Sequence, residues 1–222
     1  MKTKPIHDFL WKRPADASYL FDGTRTLLEF CKKLEERASA YVSEYDDPDS
    51  DDDEEKDDSW SREAFLGEGF ELFVEVMMLL NPNDIAFPSN YTPAVSAELE
   101  QSALDYGVDA TGTNPRGEKA VIQVKYRKNR HKDLYYTKSG MGNLACDGMF
   151  QHGVVSDPTD RKNIRHFVFT TARGINRRTY EAYRNQIKCF GFASIAKRVD
   201  NNVPFWQNAH SLVNPSTQPQ DA

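Results

Sequence analysis

Asp109, Gln123 and Lys125 are the side chains of this chain best suited by type and spacing to work on a phosphodiester. Hydrolysing that bond requires a divalent cation on the phosphate and a water activated in line with the leaving oxygen. A hard cation such as Mg²⁺ takes oxygen ligands, usually one or two carboxylates, and keeps several waters. Asp109 supplies an anionic oxygen and Gln123 a neutral one. Lys125, two residues on, can orient the attacking water or stabilise developing charge.

These residues need an element that brings them together, and the stretch from Asp105 to Arg127 reads as a β-hairpin. Val108, Asp109, Ala110 and Thr111 read as the end of a first strand. Asn114, Pro115, Arg116 and Gly117 are turn chemistry, with proline presetting φ and glycine tolerating a positive φ. Lys119 to Arg127 then alternates as a half-buried strand. Ile122, Val124 and Tyr126 fall on one face, and Val121, Gln123, Lys125 and Arg127 on the other. Burying the first face points Gln123, Lys125 and Arg127 together, and the hairpin returns them alongside Asp109.

Asp109 followed by Gln123-x-Lys125 on the next strand resembles the PD-(D/E)xK nuclease superfamily, and the glutamine variant is similar to its Mrr-like restriction endonuclease branch. Val108 stands where the motif name has proline. Gln123 stands where many members have Asp or Glu, which removes one negative charge. Upstream, Ser61 to Leu80 is an amphipathic helix with Phe65, Phe70, Phe73, Val76, Met77 and Leu80 on its apolar face. Its Gly67-x-x-x-Glu71 resembles the first-helix signature of these nucleases, where a glutamate leans toward the metal; Glu68 and Glu75 are alternatives within a turn. Downstream, Ile164 to Thr171 reads as a buried strand, followed by Ala172-Arg173-Gly174 and a helix carrying Arg177, Arg178, Tyr180 and Tyr183. The resemblance covers Ser61 to Val199 in order.

That resemblance implies an α/β fold: a mixed central sheet flanked by helices, with a restriction-endonuclease-like α-β-β-β-α-β core. It implies a metal-dependent endonuclease acting on DNA. Asp109, Gln123 and the Val124 carbonyl would hold Mg²⁺ or Mn²⁺, Lys125 would position water, and Glu71 would serve as a further ligand. Two alternatives remain open: a dimeric Holliday-junction resolvase, and a nucleic-acid-binding module of the same fold with a weak site. Mrr-like modules are often attached to helicase or methyltransferase segments, so a fused or cooperating protein of that kind, or a homodimer, is an expected partner.

The elements around this core follow in order. Met1 to Asp22 is a polar lead with scattered aromatics, and Gly23 to Tyr45 reads as a helix with a stripe at Cys31, Leu34, Ala38, Tyr41 and Tyr45. Together, residues 1–45 form an expected N-terminal helical appendage. That stripe is too short for a persuasive coiled coil, so packing within its own domain is the simpler expectation. Residues 46–58 are an acidic run, expected to be a disordered linker. Residues 59–213 are the expected nuclease-like domain and 214–222 a linker-like tail. Within the domain, Asn81-Pro82-Asn83-Asp84 stops the first helix. Ile85 to Phe87 and Ile187 to Phe190 read as short strands, and Pro93 to Leu104, Gly142 to His152, Ala193 to Val199 and Val203 to Val213 as helices.

Charge sharpens the expectation of a nucleic-acid partner. The 222 residues carry a formal net charge of −6, but the acidic run alone carries −9, leaving +3 elsewhere. Thr113 to Val199 holds 18 Lys and Arg against 6 Asp and Glu, a net of +12. Such a region suits a phosphate backbone. Arg127, Lys128, Arg130 and Lys132 follow the motif strand directly, and Arg173, Arg177 and Arg178 follow the next; these are the expected DNA contacts. Tyr135 and Tyr136 are candidates for stacking on bases.

Other chemistries find no support in the residues. The five histidines lack paired spacing, and no phosphate-binding glycine loop or Gly-x-Ser-x-Gly elbow occurs. Three separated cysteines, Cys31, Cys146 and Cys189, read as buried thiols in a reducing compartment. With no membrane-length apolar run and no signal-peptide core at the start, an intracellular, cytoplasmic protein is expected, with the nucleus or a virus-infected cell also open.

Overall fold

A computed structural model describes residues 5–45, 61–93, 108–135, 165–178 and 187–214. The chain divides into two compact units, Met1–Val76 with Ala196–Ala222, and Met77–Ile195. The acidic run, the expected helix over 142–152, most of that over 93–104, and the tail from 215 lie outside the described residues.

In the first unit, the segment read as a polar lead forms two short helices, α1 (Asp8–Lys12) and α2 (Pro14–Phe21). The His7 ring caps α1 by accepting from the Phe9 amide at 3.2 Å. Pro14 opens α2, where its missing N–H costs nothing, and Gly23, at φ +61°, takes the left-handed position just beyond it. The next helix, α3 (Leu27–Tyr45), starts four residues later than Gly23. A capping box sets that start: the Glu29 amide donates to Thr26 Oγ1 at 3.1 Å, and the Glu29 carboxylate accepts from the Thr26 amide at 3.2 Å.

Phe21, Phe30, Phe73 and Trp206 form the aromatic centre of this unit, with Phe30 and Phe73 4.7 Å apart and Phe73 and Trp206 6.0 Å apart. Each fully buried phenylalanine contributes roughly 2–3 kcal/mol. Phe73 belongs to α4 (Arg62–Leu80) and Trp206 to the last described helix, α6 (Val203–Val213); α5 (Phe192–Val199) precedes it. Cys31, Leu34 and Ala38 are fully buried, and Leu34 lies so close to Gly69 that a Cβ there would come within 2.5 Å of its Cδ1. So α3 shares a core with α4 and α6, and the division between units does not follow the boundaries at 45 and 59. The expected apolar face of α4 is buried except at Leu80, but Leu72, Val74 and Glu75 are buried as well, so the helix is enclosed nearly all round.

The second unit is built on a five-stranded mixed sheet in the order β1 (Ser89–Pro93), β2 (Ala110–Thr113), β3 (Lys119–Lys125), β4 (His166–Thr170) and β5 (Ile187–Phe190). The first three strands pair antiparallel, and β3–β4 and β4–β5 pair parallel. The coarse α/β class with a mixed sheet is therefore what the sequence led us to expect.

Two local expectations fail here. Ile85 to Phe87 is a turn, wound by the Phe87 amide on the Asp84 carbonyl (2.9 Å) and the Ala86 amide on the Asp84 carboxylate (2.8 Å). Ile85 is 84% exposed. The first strand lies just after it. The second failure concerns β3, which is buried from Ala120 to Val124 on both faces. Packing on both faces of the sheet explains this, as is usual where strands pair parallel. Phe87, Phe169 and Phe190 cluster on one side, with ring centres 4.9–5.7 Å apart. Leu134, Val168, Ala172 and Ile187 form an apolar cluster that includes Val168, the register partner of Gln123.

Candidate metal centre

The hairpin turn is fixed by Asn114. Its Oδ1 accepts from the amides of Arg116 (2.9 Å) and Glu118 (3.0 Å), its own amide donates to the Glu118 carbonyl (2.8 Å), and its Nδ2 donates to the Glu118 carboxylate (2.9 Å). Gly117, at φ +80°, completes the turn as its type requires. The resulting register pairs Ala110 with Ile122. Asp109 lies one residue before β2, so it stands at the entrance of that strand and not, as expected, near its end. Its amide still donates to the Ile122 carbonyl at 3.0 Å, which carries the ladder one step further.

That register sets the site. Asp109 Oδ2 accepts from the Val124 amide at 2.6 Å and lies 4.0 Å from Lys125 Nζ. The Asp109 and Lys125 side chains are 17% and 25% exposed, open enough to reach a ligand. Gln123, 2% exposed, stands two residues before Lys125 on β3, and its Oε1 is buried with no hydrogen-bond partner. An amide oxygen in that condition costs about 1–3 kcal/mol. Among the described residues no group of three or more His, Cys, Asp or Glu side chains is placed to hold a metal. The donors here are instead one carboxylate and one orphaned amide oxygen, both hard and suited to Mg²⁺ or Mn²⁺.

The end of β3 is tied to the end of β4 by two threonines. Thr170 Oγ1 donates to the Lys125 carbonyl at 2.6 Å, and Thr171 Oγ1 accepts from the Arg127 amide at 2.6 Å while donating to the Arg127 carbonyl at 2.9 Å. The backbone bearing Lys125 is thus held on both sides. His166, fully enclosed on β4, has its pKa pushed down to about 3 by burial and by the positive charge of Lys125. It pairs with Val121, four residues before Lys125 on β3, and sequence reasoning passed over it, because a lone histidine in an apolar strand carries no signal.

Glu71 belongs to the first unit, where His7 engages it. Its carboxylate is 3.0 Å from His7 Nε2. Glu68 receives Arg13 at 2.6 Å, and Glu75 accepts the amides of Ile6 and His7 at 2.9 and 3.0 Å. The three glutamates, spaced along one face of α4, anchor the segment from Ile6 to Arg13. Burial pulls the His7 ring down, but its bond to Glu71 and the charges of Glu71, Glu75 and Glu68 leave its pKa raised. Burial raises the Glu75 carboxyl against the lowering pull of the two amides and of His7.

The expected DNA contacts divide into two groups. Arg127, Lys128, Lys132, Arg173, Arg177 and Arg178 are exposed. Arg130 is turned inward, with its guanidinium 5.6 Å from the Phe192 ring centre and 3.4 Å from the Tyr126 hydroxyl. Arg173 holds Asp133 through two bonds of 2.8 and 2.6 Å, which keep that carboxyl below its usual range. No helix among the described residues is long and apolar enough to cross a membrane.

No protein-family model, curated protein or solved structure matches the chain.

Proposed function

We propose that this protein is a metal-dependent nuclease that hydrolyses DNA phosphodiester bonds, acting as an endonuclease. The observation that carries the reading is the buried, unpartnered Gln123 Oε1 on a strand shared with Lys125 and bonded to Asp109. An oxygen left without a partner at such cost fits a ligand position better than a packing position. The chain order α4-β1-β2-β3-β4-β5, with its antiparallel run followed by parallel pairings, supports reading the sheet as a restriction-endonuclease-like core.

Asp109, Gln123 and the Val124 carbonyl are the proposed ligands of Mg²⁺ or Mn²⁺; Glu71, paired with His7, is not needed for the set. When bound, the cation supplies Lewis-acid polarisation of the phosphate. The chain's own residues do the rest. Asp109 draws Lys125 into position and is itself fixed by the Val124 amide. Lys125 hydrogen-bonds the attacking water and holds it in line, the water's proton passes to solvent and the leaving oxygen takes one up from solvent, and the ammonium offsets negative charge as the phosphate becomes five-coordinate. The exposed cations after β3 and β4 hold the flanking backbone.

The test is incubation with Mg²⁺ or Mn²⁺ and circular, linear and branched DNA, beside Lys125→Ala. Nicking or linearisation of circles by the wild type, lost in the variant with DNA binding retained, is the expected result. One ammonium among many basic groups contributes little to affinity, so binding should survive. Cleavage by the variant at wild-type rate would sink the assignment. The site holds a single strand carboxylate, and this favours as a second reading a binding module with weak metal affinity, which would bind DNA without cutting it.

A further inference from the structure

Within the second unit, a hollow of about 300 Å³ opens beyond the carboxyl ends of β3 and β4. That is the low end of the range for small-ligand sites, with room for one nucleotide and not for a duplex. It also lies where sheets of this kind bind ligands, outside the carboxyl ends of parallel strands. The floor is apolar, made by Leu134 and Ala172, both buried. Arg127 and Lys132 stand at its walls with Asp133, and Tyr135, 52% exposed, is at the rim.

The hollow is built before any ligand arrives. The Leu134 amide donates to the Gly174 carbonyl at 2.7 Å, the Asn176 amide to the Leu134 carbonyl at 2.8 Å, and the Arg173 amide to the Lys132 carbonyl at 3.1 Å. These bonds lace the segment after β3 to the segment after β4. The Asp133 charge is matched by Arg173 through two hydrogen bonds. Among the described lining residues the excess charge therefore comes from Arg127 and Lys132 and is positive. An apolar floor, a half-exposed aromatic ring and two cations complement a base joined to a phosphate. Arg127 follows Lys125 by two residues, about 7 Å along an extended chain, so a nucleotide held here would be a neighbour of the phosphate at Lys125.

We infer that this hollow is a subsite for one unstacked nucleotide, with Tyr135 stacking on its base and Arg127 and Lys132 holding its phosphate. The inference rests on the proposed nucleic-acid substrate and narrows it to strands that are single or opened beside the cleaved bond. Its test is binding, read without metal and without turnover. Fluorescence anisotropy of a short labelled oligothymidylate would compare the wild type with Tyr135→Ser, Tyr135→Phe, Arg127→Gln and Lys132→Gln. Tyr135 is half exposed, so its substitution leaves the fold intact. Tyr135→Ser should bind about tenfold more weakly, and Tyr135→Phe, which keeps the ring, within about twofold of wild type. Each cation variant should flatten the slope of log affinity against log salt by about 0.7.

Equal affinities of Tyr135→Ser and wild type, an unchanged salt slope, or no binding of oligothymidylate by the wild type would each overturn the subsite. The two readings fail separately. Tyrosine-dependent binding with no cleavage under Mg²⁺ or Mn²⁺ ends the nuclease and leaves the subsite. Lys125-dependent cleavage with tyrosine-independent binding ends the subsite and leaves the nuclease.

Discussion

A buried oxygen without a partner is tolerated where it has a use, and Gln123 Oε1 can be tested on that footing. Gln123→Met keeps the length of the side chain and removes the orphan, so stability to urea should change by less than about 1 kcal/mol, while Mg²⁺ binding by calorimetry should weaken. Asp109→Asn should weaken Mg²⁺ binding by removing the strand carboxylate. It should also cost about 1–2 kcal/mol, because the bond to the Val124 amide loses its charge assistance. Retained Mg²⁺ affinity in both variants would move the ligands elsewhere. His166 offers a pH test on the neighbouring strand. Its folded pKa, about 3, lies below the ordinary 6.5, so the native state binds fewer protons than the unfolded one between those values. Its contribution is fully present above 6.5 and is lost as pH falls toward 3. His166→Leu should therefore show a shallower loss of stability between about pH 7 and about pH 5 than wild type. Matching acid limbs in urea titrations would contradict the assignment. His7 acts in the opposite sense: its raised pKa gives stability that is complete below the ordinary value of 6.5 and declines as pH rises through the folded value.

At the scale of elements, the joint between β5 and α5 is the tightest point. A Cβ on Gly191 would fall onto the Arg173 carbonyl oxygen and lie 2.7 Å from its carbonyl carbon, and backbone cannot step aside as a side chain does. Gly191→Ala should cost about 1–3 kcal/mol and loosen the segment that walls the hollow, seen as a lower urea midpoint and faster amide exchange at Arg173 and Gly174. An unchanged midpoint would mean the loop has room to move. Nothing around Gly191 in the sequence announced this contact, since it lies between residues far apart in the chain. What was legible had a local cause. Asn114 and Gly117 wrote the hairpin turn, the apolar Phe167-Val168-Phe169 wrote β4, and Phe205 and Trp206 just after a proline wrote α6. The faces of β3 were also legible, because alternation fixes them, but its burial on both sides depended on β4, a distant partner. Helices α1 and α2 were illegible for their length, 5 and 8 residues, and because one is capped by a histidine ring. Strand β1 was illegible because it is polar and irregular, with Asn90 at φ +54° and a register shift after Ser89. The site followed the same rule: Asp109, Gln123 and Lys125 were within reach of a hairpin argument, whereas the His7–Glu71 contact and the Asp133–Arg173 pair span 64 and 40 residues.

For the whole molecule, net charge is a poor guide to its partners. The formal value of −6 sums a run of −9 at residues 46–58 with a region of +12 from Thr113 to Val199. On the proposed reading a nucleic-acid partner would meet the second, and the first would either compete for it or only solvate the chain. The attraction is intramolecular, so it acts at an effective concentration on the order of millimolar. It should lower non-specific binding most, because that binding is almost entirely charge on phosphate, while binding at the proposed metal site and the proposed nucleotide subsite would have further contacts to draw on. Deleting residues 46–58 should therefore raise affinity for non-specific duplex DNA at low salt. The gain should shrink as ionic strength approaches physiological, where the screening length falls to about 8 Å. The acidic run is a long block of like charge, and such blocks often serve only to solvate; the two roles separate in a salt titration. Affinities that differ between intact and deleted protein at low salt and converge at high salt mark competition. Curves that coincide throughout would leave the acidic run as a solvating spacer with no hold on the basic region.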